Sequence, residues 1–395
     1  MRNSIGINVV ESTRAMSENI PQIAVLAALP PPVNGLHQAT GLVVEYLSRR
    51  SAVLVHDWSA GARLKGFSWR IVKGMRALFS PFKLVQWRCR GCRILYTVAN
   101  GNGGLYYNLL TIAAARLLGF RCVLHHHTYI YLVSFDWRMA AISRLLGVNG
   151  THVVLAPEMG ACFREVYGSN SGFVVLPNYY VLSTFSGSSF LQGTSGSTAF
   201  RLGHISNLTF AKGLRRVADT FEKLVASFDV RLTLAGPIMG QQERVFVDEL
   251  LARYPSRIKY LGPVYGEEKE NFYAGIDVLL FPSEMDEAQP LVILEAFQFG
   301  KPVIAYAKGC IPSMIAEDGG LVVPFEREFV ADASCLLEDW ISKPEEYERV
   351  SRMVERKAEK LRGECDKLLE EFYQNLCGSQ AFVASSFEPG DYEAR

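Results

Sequence analysis

The sequence predicts an α/β protein with two domains, each built on a doubly wound parallel sheet. The 395 residues are enough for two domains of ordinary size, each with its own core. In the first half, the continuous apolar run 22–29 is typical of a central strand buried on both faces. A glycine-bearing loop and a predicted helix over 37–49 follow it, which is how doubly wound sheets begin.

The second half contains a more detailed strand–loop–helix–strand segment, residues 277–306. An apolar strand, 277–281, leads into a polar loop, 282–289, and Pro290 and Gly300 then bracket a largely apolar stretch. Proline at the first position and glycine just past the end are typical of a helix. The apolar run 302–306 predicts a buried strand after it.

Two carboxylates stand out in this segment. Glu287 lies in the loop before the predicted helix, and Glu295 lies inside the helix among apolar residues. Burying a carboxylate is costly without partners, so we expect Glu295 to meet a ligand or a paired group. The free N–H groups at the helix start form an anion site. Phosphate binding beside carboxylates that can grip hydroxyls indicates a sugar nucleotide as ligand.

The motif PSEMDEAQPLVILEAFQFGKPVIA, residues 282–305, resembles the signature of the retaining family 4 glycosyltransferases. The resemblance implies the GT-B fold, in which two Rossmann-like domains face each other across a cleft. It also implies that Glu287 contacts the donor sugar, that Glu295 grips the ribose, and that loop amides hold the diphosphate. By this resemblance the diphosphate-holding stretch falls on Ala288, Gln289, Pro290 and Leu291, of which all but Pro290 carry an N–H that can donate.

One departure from the family pattern affects the donor. The family usually has glycine and then phenylalanine or tyrosine after the first glutamate, whereas this chain has Ala288 and Gln289. We expect a side-chain amide so near the sugar to change which donor is chosen.

A second family pattern reads Gly-Arg-Leu, three residues, then Lys-Gly. Here Lys212 is kept and Asn207 stands in the arginine position, so one formal charge is lost. The resemblance implies that Lys212 neutralises the donor diphosphate and that Val264, at a strand end, touches the base through its backbone. It places Gly35, in the loop after the first strand, near donor and acceptor.

Three adjacent histidines, residues 125–127, follow an apolar strand. Alternate residues share one face of a strand, so His125 and His127 can point the same way while His126 is packed on the other. A metal site would need further ligands, and the sequence offers no obvious carboxylate partner, so no metal is predicted. The resemblance implies that His127 lies close to the donor sugar.

Residues 61–93 contain nine Lys or Arg and no Asp or Glu, with aromatic residues between them. This pattern favours an interfacial helix on an anionic membrane. The alternatives are a solvated helix face with its aromatics in the core and, less favoured, RNA binding. The predicted membrane-facing residues are Trp69, Arg70, Lys73, Arg76, Lys83 and Trp87.

Composition narrows the class of protein. A net charge of +1 gives no reason to expect a nucleic-acid partner. No apolar run approaches the roughly 18 residues that a membrane helix needs, and the N-terminus lacks a signal-peptide pattern. The eight cysteines are then read as reduced thiols. We therefore predict a cytoplasmic protein that is peripheral at the inner face of the membrane.

The predicted domains follow from these segments. They are a lead-in (1–20), an N-terminal acceptor domain (21–182), a linker (183–199), a nucleotide-sugar domain (200–345), a helix crossing back to the first domain (346–377) and a tail (378–395).

The resemblance implies a hexosyltransferase-type enzyme that moves a sugar from a nucleotide donor to an acceptor hydroxyl with retained configuration. A glycan or lipid-linked glycan is the expected acceptor, in bacterial surface polysaccharide synthesis, and no cofactor or metal is needed. Two alternatives remain: a sugar-nucleotide epimerase of the same fold, and an inactive, membrane-docked subunit.

Overall fold

The computed structural model describes residues 20–31, 34–59, 61, 66–169, 171–184, 199–316 and 318–378. Nearly all of the predicted lead-in, linker and tail lies outside these residues. The chain divides into two compact units. The first comprises residues up to Leu176 together with those from Leu368 onward, and the second comprises Pro177–Lys367.

The first unit contains a six-stranded parallel sheet with the strand order β2-β1-β3-β4-β5-β6. Its strands are β1 (Gln22–Ala27), β2 (Ala52–Asp57), β3 (Ile94–Ala99), β4 (Arg121–His126), β5 (Thr151–Val154) and β6 (Gly172–Val175). Its helices are α1 (Gly35–Ser48), α2 (Gly66–Leu78), α3 (Ser80–Cys89), α4 (Leu105–Leu117), α5 (Ile130–Val133), α6 (Trp137–Leu146) and α7 (Pro157–Tyr167).

The second unit contains another six-stranded parallel sheet, with the order β12-β11-β10-β7-β8-β9. Its strands are β7 (Phe200–Ile205), β8 (Val230–Ala235), β9 (Ile258–Tyr260), β10 (Val278–Phe281), β11 (Val303–Tyr306) and β12 (Gly320–Val323). Its helices are α8 (Leu214–Val225), α9 (Gln241–Arg253), α10 (Glu267–Ala274), α11 (Leu291–Gln298), α12 (Ile311–Ile315), α13 (Phe329–Ser342) and most of α14 (Pro344–Cys377). The last ten residues of α14 belong to the first unit, where the Tyr46 hydroxyl donates to Glu370 (3.1 Å).

These two sheets confirm the predicted α/β class. Strand β1 is buried along almost its whole length, as its apolar sequence requires. It ends two residues earlier than predicted because the Leu29 N–H donates to a side chain, the Asp57 carboxylate (3.0 Å), instead of continuing the ladder. Gly35 is the first residue of α1 and not part of the preceding loop, since the Asn34 side chain caps the helix by accepting from the His37 N–H (2.8 Å).

The predicted apolar helix of the second half is α11. Pro290 is its N-cap, with extended backbone, and not its first residue. Gly300 follows the helix with φ +63°, a left-handed conformation that glycine adopts without strain. Strands β10 and β11, on either side of the helix, are neighbours in the sheet.

Each sheet has one place where the chain order reverses, and ligands of doubly wound folds bind at the carboxyl ends of the strands there. In the second sheet this switch point lies between β7 and β10, and in the first it lies between β1 and β3. The loops that follow β7 and β10 therefore emerge side by side. No helix in the described residues is long and apolar enough to cross a membrane.

Gly213 lets the loops after β7 and β10 approach each other. It is the N-cap residue of α8, with φ +85°, and a Cβ at this position would overlap the carbonyl oxygen of Pro282. Gly262 has a similar φ, +73°, but a Cβ there would meet no atom within 4 Å. Both glycines have a positive φ, but only Gly213 has atoms of another loop where a Cβ would lie.

We predict that Gly213→Ala lowers the free energy of unfolding by about 2–5 kcal/mol, because backbone strain and overlap add together. Gly262→Ala is the matched control and should cost only about 1–2 kcal/mol, from strain alone. Urea unfolding monitored by circular dichroism measures both. Equal losses would show that the approach to Pro282 is not what requires glycine.

Candidate active site

Lys212 and Glu287 form an ion pair at the switch point of the second sheet. Lys212 ends a 3₁₀ turn after β7, in which the Thr209 side chain accepts from the Lys212 N–H (3.2 Å). Its Nζ contacts Oε1 of Glu287, in the loop after β10. The Ser283 hydroxyl donates to the same oxygen (2.8 Å). Both charged side chains are largely buried, at 22% and 16% exposed, so each depends on the other for compensation.

The loop after β11 fixes the backbone of Glu287. The Cys310 N–H donates to the Glu287 carbonyl oxygen (2.9 Å), and the Gly309 N–H donates to Asp286 Oδ1 (3.2 Å). Gly309 has φ +56°, and a Cβ there would overlap the Glu287 backbone. The loops after β7, β10 and β11, which are neighbouring strands of the sheet, therefore hold the ion pair beside the start of α11.

Gln289 is held by the second unit's own chain. Only 7% of the residue is exposed, its Oε1 accepts from the Asn178 N–H (2.5 Å), and its carbonyl oxygen accepts from Asn178 Nδ2 (3.4 Å). The Tyr180 hydroxyl in turn donates to Asn178 Oδ1 (2.7 Å). The amide oxygen is therefore engaged within the protein, and the expected effect of Gln289 on donor choice stays a prediction. Ala288, beside it in the loop, and Leu291, the first residue of α11, are also buried.

Glu295 is fully buried and has two partners on α10. Its Oε1 pairs with Lys269 Nζ, and its Oε2 accepts from the Tyr273 hydroxyl (2.7 Å). Burial, and then the negative charge of Glu295, raise the pKa of Tyr273 well above its usual value, so the hydroxyl keeps its proton. Of the two expected environments, the structure contains the paired group. Sequence reasoning missed both partners, although their i, i+4 spacing puts them on one helix face.

Asn207 and Val264 occupy the other sequence-predicted positions of the second unit. Asn207 is exposed just after β7, and Val264 is buried after β9. Behind Asn207, the buried His204 joins β7 to β10: its Nδ1 lies 2.8 Å from the Leu280 carbonyl oxygen, and its Nε2 lies 2.9 Å from the Ser206 hydroxyl. Burial lowers the pKa of His204 to about 4, so the ring is neutral near pH 7.

In the first unit, the three histidines alternate across the end of β4 as expected. The rings of His125 and His127 are 4.0 Å apart between centroids, on one face. His126 lies on the other, with Nδ1 2.8 Å from the Tyr131 hydroxyl and Nε2 2.8 Å from His152 Nδ1. His126 is thus satisfied by side chains.

His127 presents a neutral ring nitrogen without a partner in the described part of the chain. Burial lowers the pKa of His127 to about 3. Its Nε2 is a buried atom with no hydrogen bond among the described residues. Within those residues, no group of three His, Cys, Asp or Glu is placed to hold a metal ion. Gly35, which the resemblance places near donor and acceptor, is exposed at the start of α1.

Residues 66–89 form two helices, α2 and α3, and correct part of the predicted membrane-facing set. Trp87 is 5% exposed and belongs to the core, so its ring is not available to a membrane. Lys73 is partly buried over the Trp69 ring (5.1 Å) and 3.5 Å from Asn100 Oδ1, and burial lowers its pKa. Arg76 is exposed but donates to the Ser59 carbonyl oxygen.

The structure describes the side chain of Lys83 but not that of Arg70, the last two residues of the predicted membrane-facing set. Lys83 is exposed on α3. The side chain of Arg70 lies outside the described part of the structure, as do residues 62–65.

Comparison with known proteins finds a family similar to the second unit. Residues 199–339 match the family model described as "Glycosyl transferases group 1". These residues contain Lys212, Glu287 and Glu295, together with all six strands of the second sheet. No curated protein matches the chain.

Solved structures with the same fold cover both units. Anabaena Alr3699/HepE in complex with UDP-glucose is 16% identical, with a TM-score of 0.66 over 89% of this chain and 99% of that one. Sucrose-phosphate synthase from Thermosynechococcus elongatus is 15% identical, with a TM-score of 0.66 over 90% and 98%. WaaG, a glycosyltransferase involved in lipopolysaccharide biosynthesis, is 16% identical, with a TM-score of 0.59 over 91% and 100%. The chain therefore has the GT-B fold, and its residues 199–339 are similar to the group 1 glycosyl transferases.

Proposed function

We propose that this protein transfers a sugar from a nucleotide-sugar donor to an acceptor hydroxyl with retention of configuration. The observation that carries the proposal is the Lys212–Glu287 ion pair beside the start of α11, at the carboxyl ends of β7 and β10. A cation, a carboxylate and free helix N–H groups in one place suit a diphosphate joined to a sugar.

In the proposed reaction, the donor separates the two charges. The diphosphate replaces Glu287 as the partner of Lys212 and accepts hydrogen bonds from the N–H groups at the start of α11. Glu287 can then accept hydrogen bonds from sugar hydroxyls. As the bond between the sugar and the diphosphate breaks, the acceptor oxygen bonds to the sugar and the departing diphosphate can take the acceptor's proton. Negative charge grows on the diphosphate as this bond breaks, so the donors stabilise the transition state more than the ground state. The proposal assigns no metal or other cofactor to this step.

Glu295 is assigned to the ribose, with Lys269 and Tyr273 as positioning residues. An ionised carboxylate offers about four acceptor positions, and two of them are used by these partners. The side chain is fully buried in this structure, so the assignment requires the donor to displace part of its cover before a ribose hydroxyl can donate to a remaining position. His127 is assigned to the donor sugar, because its Nε2, which has no partner among the described residues, can form one hydrogen bond with a sugar hydroxyl.

The structural relatives suggest the donor and the pathway class. The Anabaena protein was solved with UDP-glucose and also with UDP and glucose, which makes a UDP-sugar the first donor to test. The lipopolysaccharide role of WaaG supports a bacterial surface or lipid-linked glycan as acceptor. With such an acceptor, the enzyme would work in the cytoplasm, in peripheral contact with the inner face of an anionic membrane.

We predict that Lys212→Ala lowers kcat and kcat/KM together, by about 10- to 100-fold, because a charge-assisted contact to the diphosphate strengthens toward the transition state. Release of nucleoside diphosphate from the donor measures this. Lys223→Ala, which removes an exposed lysine further along α8, is the matched control and should behave as the wild type. Unchanged rates in Lys212→Ala would remove the diphosphate assignment.

Glu295→Gln should raise the donor KM by about 10- to 100-fold with a smaller change in kcat, because it weakens ribose binding in ground and transition states alike. The substitution also breaks the pair with Lys269, so unfolding is measured in parallel. Tyr273→Phe is the control, because it removes one hydrogen bond to the carboxylate and keeps its charge. If both variants raise KM equally, Glu295 acts only through the fold.

A further inference from the structure

Helices α2 and α3 expose a continuous series of large apolar side chains, which we call the apolar ridge. Its members are 46% to 72% exposed, with Phe82 the most exposed. Exposed apolar patches of this kind are uncommon unless they contact a partner or a membrane. The ridge consists of Ile71, Met75, Leu78, Phe79, Phe82 and Val85.

Helical spacing places the ridge on the outer face of both helices. Ile71, Met75 and Leu78 follow the i, i+4, i+7 pattern of a single face of α2. Phe79 lies at the junction of the helices, and its ring is 6.1 Å from that of Phe82 on α3. The inner faces bury other residues of these helices, namely Ala77, Leu84 and Trp87. The opposite faces of α2 and α3 thus pack into the core of the first unit, whereas the ridge residues remain exposed.

Exposed basic residues occur in the same segment of the chain as the ridge. Arg76, Lys83, Arg90 and Arg93 are exposed, and residues 61–93 contain no acidic side chain. His56, Arg76, Lys83 and Gln86 line a shallow groove together with Phe79 and Phe82. A surface of this composition is complementary to an anionic and partly apolar partner.

We propose that the apolar ridge inserts into the interface of an anionic lipid bilayer while the basic residues of the same segment contact its headgroups. An apolar helix face flanked by Lys and Arg is the pattern of helices that lie in the plane of a membrane. The missing acids remove the repulsion that a negative surface would otherwise meet. The inserting residues are Phe79 and Phe82 on this assignment, in place of the buried Trp87 that the sequence suggested.

Lipid binding by the apolar ridge would bring the proposed enzyme to an acceptor that is linked to a lipid. A lipid-linked acceptor stays in the bilayer, so an enzyme that lies on the bilayer meets it without a spanning helix. Only this link to the acceptor rests on the proposed function, since binding of the ridge to lipid requires no catalysis. The two can therefore fail separately.

The test is co-sedimentation of the full chain with vesicles of phosphatidylcholine alone or mixed with phosphatidylglycerol, at low and high salt. The wild type should pellet with the anionic vesicles at low salt and much less at high salt. Phe79→Ser/Phe82→Ser should weaken binding by about tenfold or more, through lost apolar burial. Lys83→Gln/Arg90→Gln should weaken it by about 25-fold, since each charge near the surface is worth roughly a factor of five.

Matched controls come from α6 and from the turn that follows it. Val148→Ser replaces an apolar residue that is 68% exposed, and Arg144→Gln removes an exposed charge from α6. Both should pellet as the wild type does. Each variant is also tested for stabilisation by UDP-sugars, so that lost folding or lost donor binding is recognised separately from lost lipid binding.

Four results would overturn the proposal. The first is a wild type that stays in solution with anionic vesicles at low salt, and the second is a ridge variant that pellets like the wild type. The third is a wild-type dimer that Phe79→Ser/Phe82→Ser dissociates without lipid, which assigns the ridge to contact between copies. The last is lipid binding that appears only after removal of residues 379–395, which assigns the ridge to this chain's own C-terminal segment.

Discussion

The ion pair between Lys212 and Glu287 is the interaction on which the candidate site depends. Reversal of the strand order puts β7 beside β10, so the loops that follow them meet, and Gly213 lets them approach closely. Gly309 lets the loop after β11 approach the backbone of Glu287 in the same way. Two opposite charges are largely removed from water there, and each would be costly if left alone. A ligand that separates them must compensate both, which a diphosphate joined to a hydroxyl-bearing sugar can do.

Much of the fold was readable from the sequence because it depends on local pattern. Buried parallel strands appear as apolar runs, and Pro290 and Gly300 delimit α11 to within one residue. The environment of Glu295 was only half readable. Its need for a partner follows from burial, but Lys269 and Tyr273 are 26 and 22 residues away, and only the packing of α10 on α11 brings them to it. Gln289 is a stronger case, since it meets Asn178 at a separation of 111 residues.

The basic segment 61–93 shows what composition can and cannot decide. Nine positive charges without an acidic residue indicate that this segment suits an anionic surface. Which side chains reach that surface depends on where one helix ends and the next begins. The break between α2 and α3 at Phe79 turns Trp87 into the core and leaves Phe79 and Phe82 outside. Lys73, equally basic in sequence, is drawn inward against Trp69.

The central claim is that the second unit binds a nucleotide sugar through its diphosphate. The most direct measurement is a thermal-unfolding panel with UDP-, GDP-, ADP- and dTDP-sugars, each compared with its nucleoside monophosphate. A ligand at about 100 times its Kd stabilises the folded protein by about 2.7 kcal/mol. The account predicts that one nucleotide sugar raises the Tm clearly and that its monophosphate does so far less, because the monophosphate lacks the group that Lys212 and the start of α11 hold. Stabilisation by none of these sugars, or equally by sugar nucleotide and monophosphate, would contradict it.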